Sequence, residues 1–448
     1  MSNKSKINKV IFALIILIIF QNCSFDNKSG IWKNENLPTK AENDLFKEFE
    51  NLSSINYSFD KIVPLKKNFK FKISNSINSN EWLDIFYDST NNFNNLNYNG
   101  TGNLIFKSKR ITKYRSNEYI LFEKGKIISA DNKGNLIIFS IDKNKIFKKF
   151  NFYKKKYKNI NKKLNLIIDN NIIYVSDNLG YLYAYDYKID KVLWAKNYKI
   201  PFRSNIKLIK DKLATSNQNN DLYFFDKNSG DVLKLIPTEE TVVQNKFINN
   251  LSVLDGNLFF LNTYGSLYGI DINTMRVNWF VNLNQSMNIN PSNLFEGNQI
   301  IARKNVIVVT SSKFTYLLDI NLGTVIYKKN FTSLTKPIIN NEYLFTITNN
   351  NLLIAMNLIN GEIIYSYDIN EKIASFLDIK KEKVKIKNLM IINNKLFIFL
   401  KNSYLLKFNI NGNIEAVEKF KDKIYSQPIF VNESLLYLNK KNKILIIN

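Results

Sequence analysis

The 448-residue sequence predicts an all-β fold: one eight-bladed β-propeller of four-stranded antiparallel blades, closed by an N-terminal strand. Three observations predict it. From about residue 100 onward, one pattern of short apolar runs separated by polar turns recurs to the end of the chain. The residue that ends the third strand of each unit can be followed through Ser140, Asp186, Asp226, Asp271, Asp319, Asn357, Asn409 and Asn448. The intervals are 46, 40, 45, 48, 38, 52 and 39, a mean of 44 over eight copies, and periods of roughly 40–50 residues with short strands mark propeller blades. Finally, Gly230, Gly323, Gly361 and Gly412 recur in the following turn, where a positive φ is free of steric cost only for glycine.

The N-terminus reads as an export signal. Lys4, Lys6 and Lys9 precede an unbroken apolar run of 11 residues, Val10 to Phe20. A membrane span needs about 20 residues, so the run fits a signal-peptide core instead. Cys23 follows, the one cysteine of the chain. A cysteine at this place resembles a bacterial lipoprotein signal, which implies lipidation of Cys23 and removal of residues 1–22. Phe20-Gln21-Asn22 depart from the small residue that usually precedes the lipidated cysteine. Ser24 stands where an inner-membrane retention signal would carry Asp, which implies the periplasmic face of the outer membrane. Residues 23–60 are polar and read as a tether, with a short helix expected over Lys40–Asn51.

Residues 61–448 are assigned to the propeller. The clearest unit is Ile172-Ile173-Tyr174-Val175-Ser176, a turn to Gly180, Tyr181 to Asp186, a second turn, then Val192-Leu193-Trp194. Trp194 and Trp279, with Tyr327 and Tyr365 at the same place in later units, are expected to pack between blades. Pro337 and Pro428 are expected to begin innermost strands, where a missing N–H is tolerable. The eighth unit stops after its third strand. Phe69-Lys70-Phe71-Lys72-Ile73 alternates apolar and basic residues and is the expected closing strand.

Composition excludes several chemistries. The chain has no histidine, which removes the commonest general base and metal ligand. A single cysteine cannot form an intrachain disulfide or a thiolate cluster. No cofactor, metal or catalytic residue is assigned. The +25 formal charge is spread through strands and turns of a sequence rich in Lys, Asn and Ile. It reads as compositional drift and not as a nucleic-acid site, although an attraction to anionic lipid headgroups follows from it.

The unit Gly180–Asp186 leading to Val192-Leu193-Trp194 resembles the quinoprotein-type propeller repeat. With the signal and tether, the layout resembles the BamB family of outer-membrane assembly lipoproteins, over roughly residues 60–448. Asn80-Glu81-Trp82 resembles a segment before the first blade of related sequences. The resemblance implies a non-enzymatic scaffold, a monomer within a hetero-complex. Its implied partners are the POTRA domains of a BamA-like insertase and other assembly subunits. A family loop that touches the partner carries Pro and Arg, and Pro201-Phe202-Arg203-Ser204 is similar but shorter. Arg203 is then a carboxylate partner and Phe202 an apolar anchor. The family's second partner loop is acidic, whereas the matching Phe247-Ile248-Asn249-Asn250 has no acid.

Two other readings compete. Quinoprotein dehydrogenases share the repeat, but their resemblance to one another extends to an adjacent cysteine pair, impossible here. An envelope propeller that binds another protein or a polysaccharide makes the same sequence prediction as the scaffold. Glu239-Glu240 is the most conspicuous acid pair and reads as a solvated loop.

Overall fold

A computed structural model describes residues 58–240, 248–284, 295, 297 and 299–448. The signal, Cys23 and the helix expected over 40–51 lie outside the described residues. Ser58–Asn448 forms one compact unit.

Eight four-stranded antiparallel sheets follow one another along the chain. Blade 2 is typical: Leu164–Asp169, Ile172–Asp177, Tyr181–Asp186 and Lys191–Asn197, named strands A to D from the axis outward. Burial follows this order. Strands B and C read as continuous apolar runs because they are covered by neighbouring blades, whereas Lys191–Asn197 alternates exposed and half-buried residues. The marker residue ends strand C in blades 1 to 7, and Asn448 directly follows it in blade 8. Pro337 and Pro428 stand immediately before inner strands Ile338–Asn340 and Ile429–Val431.

The expected aromatic wedges are present. Trp194 Nε1 donates to the carbonyl of Lys227 in the next blade at 3.0 Å, and Trp279 Nε1 to that of Ile320 at 3.1 Å. Tyr365 repeats this bond to Ile410 at 3.1 Å, and Tyr327 to Ile359. A ring on one outer strand thus seals against the C–D turn of the following blade.

The ring is closed by an N-terminal strand, but not by Phe69–Ile73. Leu104–Lys107 is the outer strand of blade 8 and pairs antiparallel with Ile444–Ile447. Phe69 and Phe71 alternate with lysines for a different reason: both rings enter an aromatic cluster in blade 6, 6.2 and 4.9 Å from Tyr343. The lysines between and after them stay exposed.

Because each blade is antiparallel, its ends are of two kinds. The A–B and C–D turns share one rim of the ring, the turn rim. The B–C turns and the D–A connectors between blades share the other, the connector rim. The longest described connector, between blades 6 and 7, carries the one α-helix among the described residues, α1 (Ile369–Leu377). No helix among the described residues is long and apolar enough to cross a membrane.

Candidate functional site

The axis of the ring is filled by the chain's own residues 77–99. This segment travels round the inner strands and contacts every blade in turn. Trp82 and Phe122 of blade 1 exchange two backbone hydrogen bonds of 2.8 Å. Ile168 of blade 2 donates to Leu83 at 3.0 Å. Lys207 of blade 3 reaches Asp84 at 2.6 Å. Val253 and Ala302, of blades 4 and 5, donate to Ser89 and Thr90. Ile339 of blade 6 is paired by both ends of the Asn92 amide. Leu96 exchanges bonds with Ile391 and Asn393 of blade 7, and Asn99 donates to Glu433 of blade 8. The short polar side chains explain why this stretch is so rich in asparagine. Asn91, Asn92 and Asn95 are nearly solvent-free; the amides of Asn91 and Asn92 satisfy the carbonyls of Leu251 and Ile339 on inner strands, and that of Asn95 the carbonyl of Ser74.

Two lysines are buried in this hub. Lys207 has no exposed side-chain surface; beyond Asp84 it donates to Asn91 Oδ1 at 2.6 Å and the Asp88 carbonyl at 2.8 Å. Lys336 donates to the Phe86 carbonyl at 3.0 Å and to that of Asn91, with its ammonium 3.4 Å from the centre of the Phe93 ring. Burial pushes Lys336 down to about 7, opposed mainly by the charge of Asp88. Burial in turn pushes the Asp88 carboxyl up, although Thr90 donates to it.

The hub leaves little free space on the axis. Toward the connector rim remains a cavity of about 150 Å³, with Trp82, Phe86 and Phe93 against Lys336, Lys387 and Gln427. This is below the about 300 Å³ at which small-molecule sites begin. Toward the turn rim a more open depression of about 450 Å³ holds Asp84, Asp88 and Asp169. These carboxylates are already engaged, by Lys207, Thr90 and Lys227 respectively. Among the described residues no group of three or more His, Cys, Asp or Glu is placed to hold a metal.

The residues expected to meet a partner lie on the connector rim. Pro201–Ser204 belongs to the connector between blades 2 and 3. Phe202 is not an exposed anchor: it is 3% exposed and packs among Tyr198, Tyr223 and Phe225. It is the apolar plug that a tight connector needs. Pro201 and Arg203 are half-buried, and burial draws the Arg203 guanidinium below its usual value. Ser204 bridges in parallel to Asn249 of the next connector, whose amide donates to Ser216 Oγ at 2.9 Å. The two stretches singled out in the sequence are therefore side by side, and Ile248, next to the bridging Asn249, is 59% exposed. Phe247 lies outside the described residues.

Glu239 and Glu240 are both exposed, and the Glu239 carboxylate accepts from Ser266 Oγ at 2.6 Å and from Tyr268 OH and Asn262 Nδ2 at 2.7 Å. Burial raises it, but these donors outweigh burial and hold it below the usual carboxylate range.

The lysines, unlike their spread along the sequence, gather in space. Among the described residues, the segments between strands on the connector rim hold 26 Lys and Arg against 9 Asp and Glu. Those on the turn rim hold 6 against 8. Strand periodicity hides this polarity, because each rim is sampled by alternate turns of the chain.

Comparisons with known proteins bear on the fold. The family model described as outer membrane protein assembly factor BamB matches residues 156–367. No curated protein matches the sequence. Among solved structures the chain is similar to BamB from Moraxella catarrhalis, with a TM-score of 0.62 and 13% identity over 77% of this chain and 99% of that one. It is also similar to a europium-containing methanol dehydrogenase (0.59; 11%; 82% of this chain and 89% of that one). A quinohemoprotein alcohol dehydrogenase from Comamonas testosteroni gives 0.58 and 9%, over 83% of this chain and 81% of that one.

Proposed function

Because the chain is a BamB-like propeller of quinoprotein-type repeats, we propose that it is a non-enzymatic scaffold lipoprotein of outer-membrane protein assembly. In this reading Cys23 carries the lipid that holds it to the periplasmic face of the outer membrane. The connector rim at blades 2 to 4 binds the POTRA region of a BamA-like insertase. The observation that carries the reading is the Ser204–Asn249 bridge, which sets two separate connectors into one surface. On it Arg203 supplies the polar contact, Pro201 stands beside it in the same connector, and Ile248 takes the anchoring part that the buried Phe202 cannot. Arginine is among the residue types enriched at binding hot spots.

A dehydrogenase reading is disfavoured by the hub. The axial space is taken by Trp82, Phe86 and Phe93, and the carboxylates beside it are committed to lysines and a threonine.

The test is co-purification from detergent-solubilised native envelopes. The tagged protein recovers the insertase, and Arg203→Glu combined with Ile248→Asp lowers that recovery at least tenfold without altering the folded fraction. Clean recovery of an unrelated protein with no insertase sinks the reading.

A further inference from the structure

The geometry points to a second surface with its own occupant: the connector rim from blade 6 round to blade 2 docks on an anionic phospholipid bilayer. The inference does not rest on insertase binding, which uses the sector at blades 2 to 4.

Charge distribution is the first support. From Lys143 to Ile168 the chain has ten lysines and no Asp or Glu. Its connector, between blades 1 and 2, presents Lys154, Lys155, Lys156, Lys158 and Lys163 fully exposed. The connector between blades 8 and 1 adds Lys109, Arg110, Lys113 and Arg115 against Glu118 alone. The neighbouring B–C turn of blade 8 adds Lys440, Lys441 and Lys443. The sector at blades 3 and 4 differs, since its described connector residues include Glu239 and Glu240 and no base. The arc from blade 6 round to blade 2 is thus the strongly basic part of the rim, whereas the sector at blades 2 to 4 sets Lys199 and Arg203 against Glu239 and Glu240 among its described connector residues. Basic residues close to an anionic bilayer each add about 1 kcal/mol of attraction.

Apolar surface at the end of this arc is the second support. α1 is capped by Asp368, which accepts from the Asn370 amide at 2.8 Å. Ile369 and Ile373 face the protein and are buried. The helix ends at Asp378 in the left-handed region, and Ile379 N–H returns to the Ala374 carbonyl at 3.0 Å. This turn fixes Phe376, Leu377 and Ile379 as one tip, 46%, 42% and 55% exposed. Lys380, Lys381, Lys383 and Lys385 follow, all exposed, and outnumber the exposed Asp378 and Glu382 among them, with Lys381 turned back onto Asp368 at 2.7 Å. Exposed apolar side chains framed by lysines are the composition of an interfacial membrane anchor.

The path of the chain is the third. Phe59 donates to the carbonyl of Asn330, at the outer end of the last strand of blade 5, and its ring meets Phe331 at 6.4 Å. The described chain therefore begins on the connector rim, at one end of the arc. Whatever precedes Ser58 is therefore joined to the ring at this rim.

The test uses the full chain with Cys23→Ser, so that a single engineered cysteine carries an environment-sensitive fluorophore. One protein is labelled at Phe376→Cys, another at Leu322→Cys, which is 69% exposed on the opposite rim. Both are titrated with vesicles of phosphatidylglycerol and phosphatidylethanolamine, and with neutral phosphatidylcholine vesicles. The expected result is a blue shift at position 376 with anionic vesicles alone, and none at 322. Reversing Lys154, Lys155 and Lys156 to Glu raises the half-maximal lipid concentration about 100-fold. Reversing Lys124, Lys210 and Lys304 on the turn rim changes it less than about threefold. The proposal is overturned if 376 stays silent, if 322 responds equally, or if both triple reversals weaken binding alike. A response at 376 to the purified insertase region but to no vesicle makes the tip a protein contact and overturns it as well.

Discussion

Trp279 on the outer strand of blade 4 lies directly against Gly323 in the C–D turn of blade 5: a Cβ added to Gly323 would stand 2.3 Å from the indole. The same turn needs φ +68°, so the position is constrained by backbone and by neighbour at once. Gly323→Ala is expected to destabilise the ring by about 2–4 kcal/mol, the sum of left-handed strain and overpacking. Gly256→Ala is the control. Its φ is +78°, but nothing lies within 4 Å of the added carbon, so a loss of about 1 kcal/mol is expected. Urea unfolding of the two variants separates the contributions, and equal losses would refute the role of the indole.

The Asp84–Lys207 pair joins the hub to blade 3 with Lys207 wholly buried. Breaking such a pair from one side leaves a buried charge without its partner and costs about 3–5 kcal/mol. Lys207→Met and Asp84→Asn are each expected to destabilise by that order, and the double variant by clearly less than their sum. Strict additivity in the double-mutant cycle would show that the two side chains are not energetically joined.

Lys336 predicts a specific pH dependence. Its ammonium ionises near 7 in the native ring and near 10.5 when unfolded. Between these values the unfolded chain binds more protons, so stability rises with pH across that window. The cost of burying the charge is complete below pH 7 and is relieved as the native group deprotonates. The difference in unfolding free energy between wild type and Lys336→Met should therefore shift in favour of wild type by up to about 1.4 kcal/mol per pH unit from pH 7 to 9.5. Parallel pH profiles for the two proteins would contradict the burial of this ammonium.

Removal of Leu445–Asn448 takes away every partner of Leu104–Lys107. The expected outcome is loss of cooperative unfolding in the whole ring and not a local opening of blade 8, since the same N-terminal segment continues into the hub. Hydrogen exchange reads this directly: protection should fall in blades remote from the deletion, such as at Val308 and Leu344. Unchanged protection there would mean that the blades are held independently.

The repeat was legible because its physics is local. A strand end with Asp or Asn, a turn glycine and an outer-strand aromatic each do a job within about 40 residues. The closing strand was less legible. Phe69–Ile73 alternates as a strand does, yet its two rings fill an aromatic cluster, while Leu104–Lys107 pairs with weak alternation because its outer face is solvated. The hub was not legible as such. Its asparagines look like a polar loop, and their meaning depends on carbonyls presented from distant parts of the chain, at Leu251, Ile300 and Ile339. Of the proposed partner surface, Pro201 and Arg203 are singled out by resemblance in the sequence, whereas Ile248 comes into view only through the Ser204–Asn249 bridge beside it. The rim polarity escaped notice because lysines far apart in the chain meet only after the ring is built.

The segment from Ile77 to Asn99 touches all eight blades, so its seat exists only after residue 433 has taken its place. A segment made early must wait for residues made more than 300 positions later. A nascent chain of any shorter length holds partial blades around an empty axis, with both flanking blade faces uncovered. The pairing of Leu104–Lys107 with Ile444–Ile447 likewise closes a loop of more than 300 residues.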